Sequence, residues 1–260
     1  MKVLGGVSQR AYRRCLRALL LLAGMAAASG ATAAEVKVAV AANFSKPLQT
    51  IAAAFERATG HRVSMTAAST GKLYAQIRNG APFAVFLAAE TTTPARLEAE
   101  GLGVPGSRFT YATGTLLLWS PDPAAVDAEG QVLRQPGRGK IALAHSRLAP
   151  YGHAAAEALT ALGLWETLTP RFVWGENVGQ TYQFVASGNA ALGFISASQV
   201  TLNGRLQHGS AWSVPQHLYT PIHQDALLLQ AGADNPAAKA LLRFLREPAA
   251  RAILNSYGYR

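Results

Sequence analysis

Ser69, Thr70 and Gly71, preceded by Ala67-Ala68, form a hydroxyl-bearing loop that runs directly into helical spacing. Leu73, Tyr74 and Ile77 follow on one face, Gly80 and Pro82 close the segment, and Thr70 reads as the N-cap. Such a loop leaves backbone N–H groups free at the positive end of a helix dipole, where an anion is held without a cationic side chain. A single loop of this kind is also what an ordinary capped helix looks like. Its weight comes from repetition: similar loop-to-helix starts recur at Asn43-Phe44-Ser45, at Ala149-Pro150-Tyr151-Gly152 and at Asn177-Val178-Gly179.

Signals for bond-breaking chemistry are weak by comparison. There is no Gly-x-Ser-x-Gly elbow and no Gly-x-x-x-x-Gly-Lys-Ser/Thr phosphate loop. The six histidines, His61, His145, His153, His208, His217 and His223, lack metal-ligand spacing, and the nearest pair, His217 and His223, suggests no site. The carboxylates are scattered and read as solvated. Lys72 reads as a solvated lysine beside the first loop, and Arg108 as an ion-pair residue at the surface or between lobes. For Tyr151, ring packing at a helix start and a ring covering a ligand both remain open.

The elements that must position these loops follow from hydrophobic pattern. Val36–Ala42 is a short apolar run, read as a buried strand. Ser45 caps a helix whose Leu48, Ile51, Ala52 and Phe55 form one stripe, stopped by Gly60. Val63–Thr66 and Phe83–Ala88 read as strands, and Thr93-Pro94 starts a helix that Gly101 ends. This order gives a βαβ lobe with a parallel sheet, where ligands sit beyond the carboxyl ends of the strands. Thr115–Trp119 reads as a strand leaving this lobe, and residues 121–138 as exposed loop. A second αβ series follows: strands at Ile141–Ala144, Phe172–Trp174 and Leu192–Ser196, helices at Tyr151–Leu162 and Gln180–Ala186, with Asn177 as N-cap of the latter. Asp225–Gln230 returns toward the first lobe, and Pro236–Leu245 and Pro248–Tyr257 are terminal helices. The expected organisation is an α/β protein: residues 1–34 an export signal, 35–114 and 225–260 one lobe, 115–224 the other, with a ligand cleft between them.

Bulk properties agree with that organisation. Half of the 260 residues are hydrophobic, enough for a large core. The only cysteine, Cys15, excludes an intramolecular disulfide. Lys2, Arg10, Arg13, Arg14 and Arg17 precede the apolar run Ala18–Ala28 and small residues through Ala34, the pattern of a cleaved secretory signal. Arg13-Arg14 hints at the twin-arginine route. Removing these five cations takes the formal charge from +10 to +5, a mild excess that suits anionic ligands. No basic run with interleaved aromatics is present after the signal, which argues against nucleic acid.

Longer blocks carry a resemblance. Val38-Ala39-Val40-Ala41-Ala42-Asn43-Phe44, Ala68-Ser69-Thr70-Gly71, Gln76-Ile77 and Asn79-Gly80-Ala81-Pro82 resemble the periplasmic molybdate-binding proteins of ABC importers. The resemblance continues through Pro105–Ala112, Ala149-Pro150-Tyr151-Gly152, Glu176-Asn177-Val178-Gly179-Gln180 and Leu192-Gly193-Phe194 to Tyr257-Gly258-Tyr259. It implies a two-lobed (type II) fold with two hinge crossings. The protein would work as a periplasmic monomer with no cofactor, capturing molybdate or tungstate and handing it to an inner-membrane permease. Molybdenum would be present only as the oxyanion. It implies ligand contacts from the side chain of Asn43, the hydroxyl of Thr70 and the backbone N–H groups of Tyr151 and Val178, with Ala42 and Ser69 beside them. Four positions depart from the family pattern: Ala84 and Glu90 where relatives have aspartate, His145 where they have Asp or Asn before Pro, and Ser196 where one branch has a ligand tyrosine.

The residue types suit that ligand. Molybdate is a tetrahedral dianion with acceptors only, so a donor-only site matches it and a buried carboxylate would repel it. Each donor to a charged group contributes about 1.5–3 kcal/mol, and each helix N-terminus about 0.3–1 kcal/mol. Other readings stay open at this stage: another oxyanion such as sulfate, chromate or phosphate, an enzyme acting on an oxyanion ester, or a sensory ligand-binding module.

Overall fold

The computed structural model describes residues 33–137 and 139–260. The expected export signal lies outside them except for its last two residues. In chain order the first elements are β1 (Glu35–Ala41), α1 (Ser45–Thr59), β2 (Arg62–Ala68), α2 (Thr70–Arg78), β3 (Val85–Leu87), α3 (Thr92–Ala99) and β4 (Phe109–Gly114). Then come β5 (Leu116–Ser120), β6 (Ile141–Ala144), α4 (Pro150–Ala161), α5 (Trp165–Leu168), β7 (Phe172–Gly175), α6 (Val178–Ala186) and β8 (Leu192–Ser196). A two-residue hairpin, β9 (Thr201–Leu202) and β10 (Arg205–Leu206), precedes β11 (Ser210–Ser213). The chain returns through β12 (Ile222–Leu228) and closes with α7 (Pro236–Phe244) and α8 (Pro248–Ser256).

Two five-stranded sheets result, ordered β2-β1-β3-β12-β4 and β11-β5-β8-β6-β7. The chain passes between them twice, from β4 to β5 and from β11 to β12. In the first sheet β1 is parallel to β2 and β3, as expected, because helices cover both of its faces and Val36, Val38, Ala39 and Val40 are all fully buried. The sheet is mixed, however: β12 runs antiparallel to β3 and β4. The return strand also starts earlier than Asp225, because Ile222 and Gln224 already pair with Gly114 and Ala112. The strand β4 has no counterpart among the sequence expectations. Its small residues, Thr110, Ala112, Thr113 and Gly114, give little alternation to read.

Helix α1 buries Leu48, Ile51, Ala52 and Phe55 and stops at Gly60, whose φ of 74° is a conformation that glycine adopts without strain. Ser45 is its first residue rather than its cap, and the Ser45 hydroxyl donates to Ala42 O. Four helical segments start just past the carboxyl end of a parallel strand: the 3-10 turn Ala42–Phe44 after β1, α2 after β2, α4 after β6 and α6 after β7. Two of these belong to each sheet, so both lobes direct helix N-termini toward the space between them. Among the described residues, no helix is long and apolar enough to cross a membrane.

Candidate functional site

The four helix starts surround one small cavity. Its walls are residues 41–43, 68–70 with Ala89, 149–151 and 177–178, so Ala42, Asn43, Ser69, Thr70, Tyr151 and Val178 all lie there. The space open to the centre of a water-sized sphere is about 10 Å³, that of a single water, so the walls stand close together. The lining holds no carboxylate and no cation. It offers hydroxyls, amides and backbone N–H groups.

Thr70 is the first helical residue, not the N-cap; Ser69 takes the cap position in extended conformation and makes no side-chain cap bond. The reason is a tertiary contact. Thr70 Oγ1 accepts the Ala89 N–H at 3.2 Å, across to the end of β3. Accepting there leaves the hydroxyl's own proton to be donated elsewhere. The Gly71 N–H donates to Leu148 O at 3.0 Å, a backbone bond between the lobes. In the second lobe, Pro150 occupies the first helical position, where its missing N–H is no loss, and the Tyr151 N–H has no intrahelical carbonyl to reach. Asn177 caps α6 as expected, its Oδ1 accepting the Gln180 N–H at 3.0 Å. That leaves the Val178 N–H without an intrahelical carbonyl. The same accounting applies to Ala42 and Asn43 at the start of their 3-10 turn.

The Asn43 side chain is a different matter. Both protons of its Nδ2 are engaged inside the protein, with Gln224 Oε1 at 2.9 Å and Tyr259 Oη at 2.8 Å. The structure therefore leaves Asn43 its backbone N–H to offer the cavity, and not the side-chain donor expected. Around that amide a buried network joins the lobes. Tyr111 donates to Gln224 Oε1, Gln224 Nε2 donates to Tyr151 Oη, Ser196 Oγ donates to Tyr151 Oη, and Ser198 Oγ donates to Asn43 O. Burial raises the pKa of Tyr111 and Tyr151 well above that of free tyrosine, and that of Tyr259 as well, so all three stay neutral hydroxyls. Tyr151 has its ring buried and its hydroxyl tied to this network, which favours the packing reading of its ring.

The remaining sequence positions find partners elsewhere. Lys72 pairs with Glu176 across the lobes at 3.1 Å, both side chains more than half exposed, where solvation alone was expected. Arg108 is an ion-pair residue within the first lobe, to Asp225 at 2.7 Å and Glu98 at 3.2 Å, and its hydrogen bond to Asp225 raises its pKa further. Ser196 stands where one family branch has tyrosine, and its hydroxyl serves Tyr151 and Ser198. Glu90 accepts from the Thr92 hydroxyl at the start of α3. Ala84 is buried so tightly that a Cβ on Gly232 would lie 2.6 Å from its Cα. His145 Nδ1 accepts the Arg147 N–H within its own turn. Sequence reasoning missed Gln224, Tyr111, Ser198 and the Tyr259 hydroxyl; the one available signal was a glutamine beside the apolar run of β12.

A larger groove of about 830 Å³ adjoins the cavity, walled by Gly71, Tyr74, residues 89–93, Arg96, residues 146–150, His153, Ala154, Glu157 and residues 220–223. Its lining carries both signs of charge, Glu90 and Glu157 with Arg96 and Arg147, and it is far larger than a tetrahedral oxyanion, so the small cavity with neutral lining is the better candidate.

The family described as bacterial extracellular solute-binding protein matches residues 36–260. The chain is 52% identical over 232 residues to the molybdate-binding protein ModA of Azotobacter vinelandii, covering 89% of this chain and 92% of that protein. It is 49% identical over 242 residues to the molybdate-binding protein ModA of Rhodobacter capsulatus, covering 93% and 94%. Its structure resembles that of the periplasmic molybdate-binding protein of Azotobacter vinelandii with a TM-score of 0.84 and 40% identity, covering 86% of this chain and 98% of that one.

Proposed function

The chain belongs to the bacterial extracellular solute-binding proteins, and from that premise we propose that it captures molybdate, and tungstate with it, and delivers the oxyanion to an ABC permease. The fold is the two-lobed, type II binding-protein fold with two crossings. The observation that carries the ligand class is the cavity between four helix N-termini, two from each lobe, with neutral donors and no carboxylate in its lining.

On this reading the Thr70 hydroxyl, with Ser69 beside it, and the backbone N–H groups of Ala42, Asn43, Tyr151 and Val178 converge on the oxyanion. No step is catalysed and no cofactor takes part; the protein's work is to enclose its guest. Within each lobe the helix starts fix the donors before the ligand arrives, so little local reorganisation opposes binding. Sulfate offers the same tetrahedron of acceptors, so discrimination rests on the size of the cavity. The protein acts as a monomer in the periplasm, reached through its cleaved signal, and presents its ligand to the membrane permease.

Isothermal calorimetry with molybdate, tungstate and sulfate tests the reading. Tight one-to-one binding of molybdate and tungstate with weak sulfate binding is expected. Equal affinity for sulfate would make this a general oxyanion carrier, and turnover of a phosphate or sulfate ester would make it an enzyme.

A further inference from the structure

The cavity's walls do not stand alone. Two of its four loops are anchored from behind by side chains that do not line it. We infer that Gln224 is a positioning residue for oxyanion capture, its buried amide tying the Asn43 loop of one lobe to the Tyr151 loop of the other. The inference rests on the oxyanion reading above.

Gln224 is fully buried on β12, just after the chain has crossed back into the first lobe. The β12–β4 register slips between Gln224 and Asp225, and Asp225 is clamped there by Arg108 at 2.7 Å and Thr110 at 2.6 Å. Both ends of the Gln224 amide are engaged. Oε1 accepts from Asn43 Nδ2 at 2.9 Å and from Tyr111 at 3.1 Å, within the first lobe. Nε2 donates to Tyr151 Oη at 3.3 Å, across to the second. Gly114, at the other crossing, keeps this path open: a Cβ there would run into the Tyr151 hydroxyl and come within 2.8 Å of Gln224 Nε2. The Tyr259 hydroxyl accepts the other Asn43 Nδ2 proton at 2.8 Å. It is set there by reciprocal backbone bonds between Thr113 and Arg260, of 2.7 and 3.1 Å.

The bond from Gln224 to Tyr151 spans the lobes, so it contributes only while they are together. When they part, water replaces it. Its net free energy therefore adds to the affinity for whatever the closed cavity holds, although Gln224 touches no ligand. An apolar residue of the same length would fill the space in each lobe but could not join Asn43 to Tyr151.

The test is molybdate titration of Gln224→Leu, Tyr151→Phe and the double variant, with ligand-free melting and stopped-flow dissociation alongside. Gln224→Leu is expected to raise Kd about tenfold through faster dissociation; ligand-free melting falls as well, because the buried Asn43 amide loses an acceptor. The double variant should bind about as Gln224→Leu does, because both changes remove one shared interaction. An unchanged Kd for Gln224→Leu, or fully additive losses, overturns the inference. If Gln224→Leu does not fold, Tyr151→Phe alone removes the other end of the same bond while keeping the ring; faster dissociation supports the tie and unchanged dissociation overturns it. Should the wild-type protein bind no molybdate, the functional reading fails by itself. The tie is then read by small-angle scattering without ligand, where Gln224→Leu must be the more open population and identical profiles overturn it.

Discussion

Two neighbouring regions of this molecule are built from the same materials and behave oppositely. The cavity and the network behind it both consist of hydroxyls, amides and backbone N–H groups, and they share Asn43 and Tyr151. In the network, donors meet acceptors: the Asn43 amide gives both protons to protein partners, and Gln224 uses both ends of its amide. The cavity lining carries no carboxylate, and on the proposed reading its donors find their acceptors in the ligand. One region is then complete by itself and the other only around an anionic guest. Residue type alone does not distinguish them; the tally of partners does.

The most severe way to break the comparison is to supply the missing acceptor. Thr70→Asp puts a carboxylate into the cavity. Two unit charges 4 Å apart at an effective dielectric of about 20 repel by about 4 kcal/mol. Molybdate affinity at pH 8 should fall by about a thousandfold or more, measured by calorimetry. Wild-type affinity in this variant would mean that the ligand sits elsewhere.

Removing a single donor is gentler. Thr70→Ala should weaken molybdate binding by about 1.5–3 kcal/mol. Because Thr70 Oγ1 also accepts the Ala89 N–H, the same change strands a buried donor and should lower ligand-free stability by about 1–3 kcal/mol in a urea titration. Thr70→Ser keeps the hydroxyl and should restore most of both. A Thr70→Ala protein of full affinity would assign the threonine to the network side of the comparison, as a purely structural acceptor.

The difference between the regions also explains what was legible in the sequence. Helices, parallel strands and the four loop-to-helix starts are local signals, set by apolar spacing, caps and Gly or Pro stops, and they emerged at nearly their observed positions. Since helix starts line the cavity, the six residues expected to bind the ligand lie in its walls. What did not emerge was tertiary. Thr70 looks like an N-cap until Ala89 is seen to occupy its oxygen. Asn43 looks like a side-chain ligand until Gln224 and Tyr259, 181 and 216 residues away, are seen to hold its amide. The strand β4 and the antiparallel return of β12 depend on pairing across the whole chain, which no local periodicity records.

The smallest expected effect sharpens the comparison at its rim. Lys72 follows the Thr70 loop and meets Glu176 across the lobes at 3.1 Å, but the two side chains are 52% and 67% exposed. An exposed ion pair contributes about 0.2–1 kcal/mol, less in salt, because water screens both charges. The pair forms only when the lobes are together, so its contribution belongs to affinity and not to the folding of either lobe. Lys72→Ala should therefore weaken molybdate binding by no more than about fivefold at low salt, and the loss should fade as salt is raised. A hundredfold, salt-independent loss would show that the lysine reaches the oxyanion itself. The site would then hold its guest with a cation, and the distinction between a neutral donor shell and a self-satisfied network would no longer describe how it binds.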